Sequence, residues 1–272
     1  MMFETGRLQK GPHGIEWIRM RNASPRALLF SPPLIGGNYA QQLRWFRPLL
    51  RKGYDLISFN FSGHGHSSGR FSPAQTREDT LRMLENALEI AAWEKLPLFG
   101  LGTCYAAIPL LKAAAETGEP FQKTVLINAI VHLRPASLLR SFFLFYRKIY
   151  RGSGIIDGAR HYGEFMFPGV VKSRQVFGVL ERRKIRIGKS FCDFFSPDPL
   201  ENICLRKTPF LCIYGLDDRV LQIYGKEFRK NYESALRKIC PRICFHPLPG
   251  DHFLSHPAER QKALEAVLNF FR

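Results

Sequence analysis

Short apolar segments alternate along the chain with longer segments in which apolar residues recur at helical spacing. The short segments lie at 26–31, 55–61, 96–101, 123–129 and 209–215. Their length and composition are typical of buried strands. The intervening segment 74–95 has the period of an amphipathic helix. This alternation predicts an α/β fold with a mostly parallel sheet covered by helices on both faces.

Further elements extend this pattern towards both ends of the chain. Residues 14–21 alternate between apolar and polar as an edge strand does. Asn38 is placed to cap a helix that continues to Gly53. The last part of the chain predicts a helix at 222–238, a strand at 243–246 and a helix at 257–271. At 272 residues the chain fits one large α/β domain.

One segment, 132–205, interrupts the alternation and is too long for a simple connection between two elements. We therefore expect a core at 1–131 and 206–272 with an inserted helical cap at 132–205. Between residues 132 and 189 the segment has thirteen Lys and Arg residues against three acidic ones. The aromatic residues interleaved with these bases include Phe142, Phe143, Phe145, Phe165 and Phe167. The pattern fits an ordinary lid with a solvated basic side, or the apolar wall of a substrate site under a cationic rim.

The basic residues give the chain a formal net charge of +17. Such a charge predicts an acidic partner: an anionic membrane surface, an acidic carrier protein, a phosphate-bearing substrate or nucleic acid. No nucleic-acid motif accompanies the charge, so we do not expect nucleic acid. The first ten residues lack the apolar segment of a signal peptide, and no segment is long enough to span a membrane. We expect a cytoplasmic protein, with peripheral membrane contact as an option.

The six cysteines lack the paired spacing of a zinc site, which favours reduced thiols. Cys104 has a distinctive position among them. It lies in the sequence Gly-Thr-Cys-Tyr-Ala at 102–106, between an apolar segment and a run of small and apolar residues. A strand, a sharp turn and a helix with the nucleophile at the turn form a nucleophile elbow. Cys104 is therefore either a nucleophile or an ordinary buried thiol.

An acid and a base follow two later strands of the predicted sheet. Asp218 lies in Gly-Leu-Asp-Asp after one strand, and His252 lies in Gly-Asp-His after the last. The carboxyl ends of strands in an open α/β sheet border one crevice, so both side chains can meet Cys104 there. His252 would take the thiol proton and Asp218 would orient the imidazole. Asp217 competes for the acid role, and we interpret Asp251 as structural.

Together with the loop Phe-Asn-Phe-Ser-Gly-His-Gly-His-Ser at 59–67, these motifs resemble the α/β-hydrolase superfamily over nearly the whole chain. The matching features are the family's Arg-Gly-His-Gly-x-Ser loop, the elbow, Gly-x-x-Asp at 215–218 and Gly-x-His at 250–252. The resemblance implies an eight-stranded sheet, a cap after the sixth strand and acyl chemistry that needs no cofactor. A cysteine at the elbow is similar to dienelactone hydrolases, polyhydroxyalkanoate synthases and some thioesterases or acyltransferases.

Two details of this resemblance affect the site. Pro32 and Pro33 replace the family's usual His-Gly, and proline has no amide hydrogen. We therefore place the oxyanion hole at the backbone N–H groups of Leu34 and Tyr105, with Ile35 as an alternative. The pair His64-Gly65-His66 could bind a metal, but no carboxylate cluster lies near it in sequence and the family's loop accounts for it. We expect no metal.

Three functions fit these observations. The first is an esterase, thioesterase or acyltransferase that forms an acyl-Cys104 intermediate on a hydrophobic acyl group, carried on coenzyme A or an acidic acyl carrier protein. The second is a lactone hydrolase of the dienelactone type, for which a small polar pocket is expected instead of a phenylalanine-rich cap. The third is a non-catalytic binding protein with the same fold. The presence of both Asp218 and His252 disfavours the third.

Overall fold

The computed structural model describes residues 2–10, 13–34, 38–131, 143, 154–155, 200, 202–225 and 227–272. Most of the predicted cap therefore lies outside the described residues, as do Phe142, Phe145, Phe165 and Phe167. Phe143 is described and its side chain is exposed. None of the helices in the described ranges has the length and apolarity needed to cross a bilayer.

Eight strands and five helices make up the described core. The strands are β1 (Met2–Lys10), β2 (His13–Arg21), β3 (Ala27–Phe30), β4 (Tyr54–Phe59), β5 (Leu98–Thr103), β6 (Lys123–Ile127), β7 (Phe210–Gly215) and β8 (Ile243–Leu248). The helices are α1 (Tyr39–Leu50), α2 (Pro73–Glu94), α3 (Ala107–Glu116), α4 (Phe228–Ile239) and α5 (Pro257–Phe271).

The strands form one sheet in the order β1-β2-β4-β3-β5-β6-β7-β8. The pairs β1–β2 and β2–β4 are antiparallel, and every other neighbouring pair is parallel. The predicted mostly parallel, eight-stranded sheet is confirmed. Because β5, β6, β7 and β8 are consecutive parallel neighbours, their carboxyl ends lie side by side at one edge of the sheet.

Helices cover both faces of this sheet. Successive residues of β3 point to opposite faces: Leu28 and Phe30 pack in the cluster that contains residues of α2, α3 and α4, whereas Ala27 and Leu29 pack with residues of α1 and α5. The four side chains are fully buried. Burial of a large apolar side chain stabilises the fold by about 1.5–3 kcal/mol, so both layers contribute to the core.

The boundaries of the elements differ from the sequence prediction in a few places. Asn38 caps α1 as predicted, since its Oδ1 accepts a hydrogen bond from the N–H of Ala40 at 3.0 Å. The predicted helix at 222–238 is instead a 3-10 turn, Leu221–Tyr224, followed by α4. Gly225, with φ of 100°, breaks the helix between them. At the other end of the sheet, β1 and not β2 forms the edge.

Candidate active site

The elbow predicted around Cys104 is present. β5 ends at Thr103, a 3-10 turn spans Cys104–Ala106, and α3 follows directly. Cys104 has φ of 50°, in the left-handed region that residues other than glycine seldom adopt. Such strain persists only where the surrounding structure imposes it, and it is characteristic of functional turns. The side chain is partly exposed and lies at the start of a helical segment, where the backbone dipoles favour an anion.

Gly102 explains how α3 comes so close to β5. A Cβ at this position would lie 3.0 Å from methyl groups of Leu110 and Leu126 and 3.1 Å from the Cα of Ala107. These distances are shorter than nearly all contacts made by real Cβ atoms. The missing side chain therefore allows the first turn of α3 to pack against the strand and fixes the turn that presents Cys104.

The acid candidate follows β7. Asp218 is fully buried, and its Oδ1 accepts hydrogen bonds from the N–H groups of Val220 and Leu221 at 2.8 and 3.0 Å. Its Oδ2 lies 2.7 Å from Nδ1 of His252. Asp217 is exposed, whereas Asp218 meets the histidine. Asp218, which the Gly-x-x-Asp motif predicted as the acid, is therefore the aspartate that contacts the imidazole of His252.

His252 connects the acid to the cysteine. Its Nε2 lies 3.0 Å from Sγ of Cys104, and its side chain is 7% exposed. Burial alone would lower the pKa of His252, but the charges of Asp218 and Cys104 and the hydrogen bonds to both raise this pKa well above 6.5. The imidazole can therefore be positively charged at neutral pH. The arrangement permits a thiolate and an imidazolium to form an ion pair next to a buried carboxylate.

Asp251 has the structural role that the sequence predicted. Its Oδ1 accepts hydrogen bonds from the N–H groups of Phe253 and Ser255, both at 3.0 Å. Burial acts to raise the pKa of Asp251, but these hydrogen bonds and the charge of His252 outweigh it and lower the pKa. The ionised carboxylate therefore stabilises the turn that carries His252.

Three residues near the site were not singled out from the sequence. Asn128 follows β6, and its side-chain amide bonds to backbone groups of Gly215 and His252. Phe253 and Leu216 are exposed apolar residues that directly follow His252 and Gly215. The ring centroids of Phe253 and His252 are 5.2 Å apart. A polar residue at the end of an apolar strand was the available signal for Asn128; no sequence pattern distinguished the other two.

The predicted oxyanion hole remains a prediction. Pro32 and Pro33 are buried after β3, and Leu34 is partly buried at the end of the described part of this loop. Ile35 lies outside the described residues. Tyr105 begins the segment after Cys104, and its hydroxyl lies 3.2 Å from Oγ1 of Thr76 in α2. This contact ties the elbow to α2, and burial raises the pKa of Tyr105 to about 12.

The loop at 59–67 is held against α2 by a buried carboxylate. Asp79 of α2 accepts hydrogen bonds from the N–H and the hydroxyl of Ser62, at 2.6 and 3.0 Å. His64 is buried between the rings of Phe61 and Phe71, and burial lowers its pKa to about 4. Its imidazole is therefore neutral at physiological pH. Within the described part of the chain, no three His, Cys, Asp or Glu residues are grouped as metal ligands would be.

Comparisons with known proteins agree with this architecture. Residues 32–154 match the family described as alpha/beta hydrolase fold. No curated protein sequence matches the chain. Among solved structures, the chain is similar to a carboxylesterase of the thaumarchaeon Nitrososphaera gargenis, with 16% identity over 97% of this chain and 98% of that one and a TM-score of 0.64.

Two further structures show the same likeness. A soluble variant of monoglyceride lipase from Saccharomyces cerevisiae has 14% identity over 97% of this chain and 93% of that one, with a TM-score of 0.64. An esterase of Pyrococcus furiosus has 12% identity over 99% and 90%, with a TM-score of 0.67. The sheet order, the elbow after β5 and these likenesses together identify the chain as a protein of the α/β-hydrolase fold.

Proposed function

We propose that the protein is an acyl hydrolase or acyltransferase that works through an acyl-Cys104 intermediate, with His252 as base and Asp218 as the group that orients it. One observation carries this proposal: Sγ of Cys104, the imidazole of His252 and the carboxylate of Asp218 form an unbroken series at 3.0 and 2.7 Å. A buried structural thiol has no need of a histidine at hydrogen-bond distance, nor of an acid behind it.

The chemistry follows from these contacts. The Cys104 thiolate attacks the carbonyl carbon of an ester or thioester, and a C–S bond forms. The bond to the leaving alcohol or thiol breaks, and the leaving group takes the proton from Nε2 of His252. In the second half, water or another acceptor attacks the acyl group while His252 accepts its proton, and the Cys104 thiolate leaves. The N–H groups of Leu34 and Tyr105 are our candidates for the donors to the tetrahedral oxyanion.

A thioester substrate suits this nucleophile. Transfer of an acyl group between two thiols exchanges one thioester for another at little cost in free energy, so a cysteine loads easily from a thioester. The solved neighbours named as carboxylesterase, monoglyceride lipase and esterase support the broader class of carboxylic esters. The exposed Phe253 and Leu216 beside the site, and the five candidate phenylalanines of the cap, favour an apolar acyl group.

The basic residues of the protein favour a substrate in which the acyl group is bound to an acidic carrier. In addition to the cap bases, α4 presents Arg229, Lys230, Arg237 and Lys238 around a shallow surface depression that also contains Glu233, the ion-pair partner of Arg229. Coenzyme A phosphates, an acidic acyl carrier protein or anionic lipid headgroups would be attracted to such a surface. Charge reversal at Arg182, Arg183 and Lys184 should weaken carrier binding at low salt, and an unchanged salt dependence would remove these cap residues from the docking surface.

Acyl transfer to the protein tests the central proposal. Wild type and Cys104→Ala are incubated with acyl thioesters of increasing chain length and analysed by intact-mass and peptide mass spectrometry. We expect one acyl adduct per chain on the peptide that contains Cys104, and none on that position in the variant. Cys244→Ala is the matched control, because Cys244 is also a free thiol, is more exposed than Cys104 and lies on β8. It should acylate like the wild type.

The alternatives give different results in the same experiment. A lactone hydrolase of the dienelactone type would turn over a small polar enol-lactone and would not be acylated by long-chain thioesters. A non-catalytic binding protein would show no adduct with any acyl donor, and its Cys104 would react with iodoacetamide no faster than Cys244. This last outcome would reject the proposed function.

A further inference from the structure

Asn128 lies between the loops that carry the acid and the base. It follows β6 directly, is 1% exposed and has φ of 46°, a left-handed conformation that asparagine tolerates better than most residues. Its backbone N–H still donates to the carbonyl of Ile213 in β7 at 2.9 Å. This hydrogen bond keeps Asn128 paired with β7, although its φ is no longer that of a β-strand.

The side-chain amide connects two chain segments that are far apart in sequence. Its Oδ1 accepts a hydrogen bond from the N–H of Gly215 at 2.8 Å. Its Nδ2 donates to the carbonyl oxygen of His252 at 2.7 Å and to that of Asp251 at 3.4 Å. An amide satisfies this set because one end accepts and the other donates. A carboxylate could keep only the bond to Gly215.

The two segments are those on which the proposed chemistry depends. Gly215 is three residues before Asp218, and the other end of the amide binds the backbone of His252 itself. The next residues of the same segment reach the elbow as well, since the N–H of Ile130 donates to the carbonyl of Cys104 at 3.0 Å. The segment after β6 thus contacts all three loops that supply the nucleophile, the acid and the base.

We propose that Asn128 is a positioning residue, which sets the distance between the imidazole of His252 and Cys104 by fixing the backbone of His252 against the end of β7. The inference rests on the proposed function. The side-chain bonds of Asn128 go to backbone atoms of Gly215, Asp251 and His252, so the residue acts through the backbone. A shift of the His252 backbone moves Nε2 relative to Sγ, and the ion pair weakens.

The test measures the alkylation rate of Cys104 by iodoacetamide from pH 5 to pH 9, with peptide mass spectrometry to separate Cys104 from the other thiols. Asn128→Asp has nearly the same shape but loses the donor to His252, and Asn128→Ala loses both bonds. Both variants should react at pH 6 at least about tenfold more slowly than wild type, because the imidazolium of His252 no longer lies against Sγ, and the difference should be smaller at pH 9.

Asn22→Ala is the matched control. Nδ2 of Asn22 donates to the carbonyl of Tyr54 at 2.6 Å, at the start of β4 and therefore at the opposite edge of the sheet. This variant also loses a partly buried amide-to-carbonyl hydrogen bond, and its melting temperature should fall while its pH profile stays that of the wild type. The profile separates positioning from stability, because a merely structural loss changes the melting temperature alone.

Three outcomes would overturn the inference, and they differ from failure of the proposed function. If folded Asn128→Asp keeps the wild-type pH profile, Asn128 does not position His252. If Asn128→Asp fails to fold and folded Asn128→Ala keeps the profile, the same conclusion follows. A wild-type profile equal to that of a free thiol would also overturn the inference. By contrast, the absence of an acyl adduct on wild-type Cys104 would reject the proposed function, whatever the pH profiles of the Asn128 variants.

Discussion

A Gly215→Ala substitution would displace the loop that carries His252. The added Cβ would lie 2.3 Å from the carbonyl oxygen of Gly250 and 2.8 Å from that of Asp251. Ordinary contact begins at 3.4 Å. Because both opposing atoms belong to the backbone, no side chain can rotate away, and the loop has to retreat by about 1 Å.

This displacement acts directly on the proposed chemistry. The N–H of Asp217 donates to the carbonyl of Gly250 at 2.9 Å, so the two loops are joined next to the new methyl group. His252 follows Gly250 by two residues in the same loop. A misplacement of about 1 Å costs on the order of 100-fold in the rate of a reaction that depends on aligned groups. We expect acylation of Cys104 to fall by about this factor.

Alkylation of Cys104 at pH 6 measures the effect without a known substrate. Displacement of the His252 imidazole from Sγ removes the group that activates the thiol, so we expect the reaction to slow by at least about tenfold. Gly100→Ala is the control, because its Cβ would meet side-chain atoms of Thr124 at 2.9 Å and Phe121 at 3.3 Å. It should be destabilised and yet react at the wild-type rate. Equal rates for the two variants would refute the reasoning.

Two predictions concern stability. The pKa of His252 is raised above 6.5, so its interaction with Asp218 stabilises the fold fully below about pH 6.5 and less as pH rises through the folded pKa. The difference in melting temperature between wild type and Asp218→Asn should therefore shrink from pH 6 to pH 9, and a constant difference would contradict this. Asp79→Ala should cost about 1–3 kcal/mol in urea denaturation because Ser62 loses its acceptor. Glu78→Ala, at an exposed neighbouring position, should cost less than about 0.5 kcal/mol.

The sequence predicted the elements whose burial leaves a simple pattern. β3 to β7 are short apolar segments and β8 is a short mixed one, and Cys104, Asp218 and His252 each follow the end of a predicted strand, so the fold and the proximity of these residues could be inferred before the structure. The edge strand β1 was not predicted, because most of its residues are exposed and its sequence therefore shows neither alternation nor an apolar segment.

The role of Asn128 could not be predicted from the sequence for a different reason. Its importance lies in bonds to the backbone of Gly215 and His252, which are 87 and 124 residues away in sequence. Backbone acceptors and donors are the same at every position, so no residue type in those segments marks them as partners of an amide. The pairing becomes visible only when the order of β6, β7 and β8 in the sheet is known.

That order has a consequence for the synthesis of the protein. Cys104, Asn128, Asp218 and His252 follow β5, β6, β7 and β8, so the ribosome makes the proposed nucleophile first and the proposed base last. Cys104 and His252 are 148 residues apart. At roughly 5–20 residues per second, the thiol exists for roughly 7–30 s before its histidine is made. During this interval Cys104 of the nascent chain lacks its contact with His252, and a product that terminates before β8 never acquires this contact.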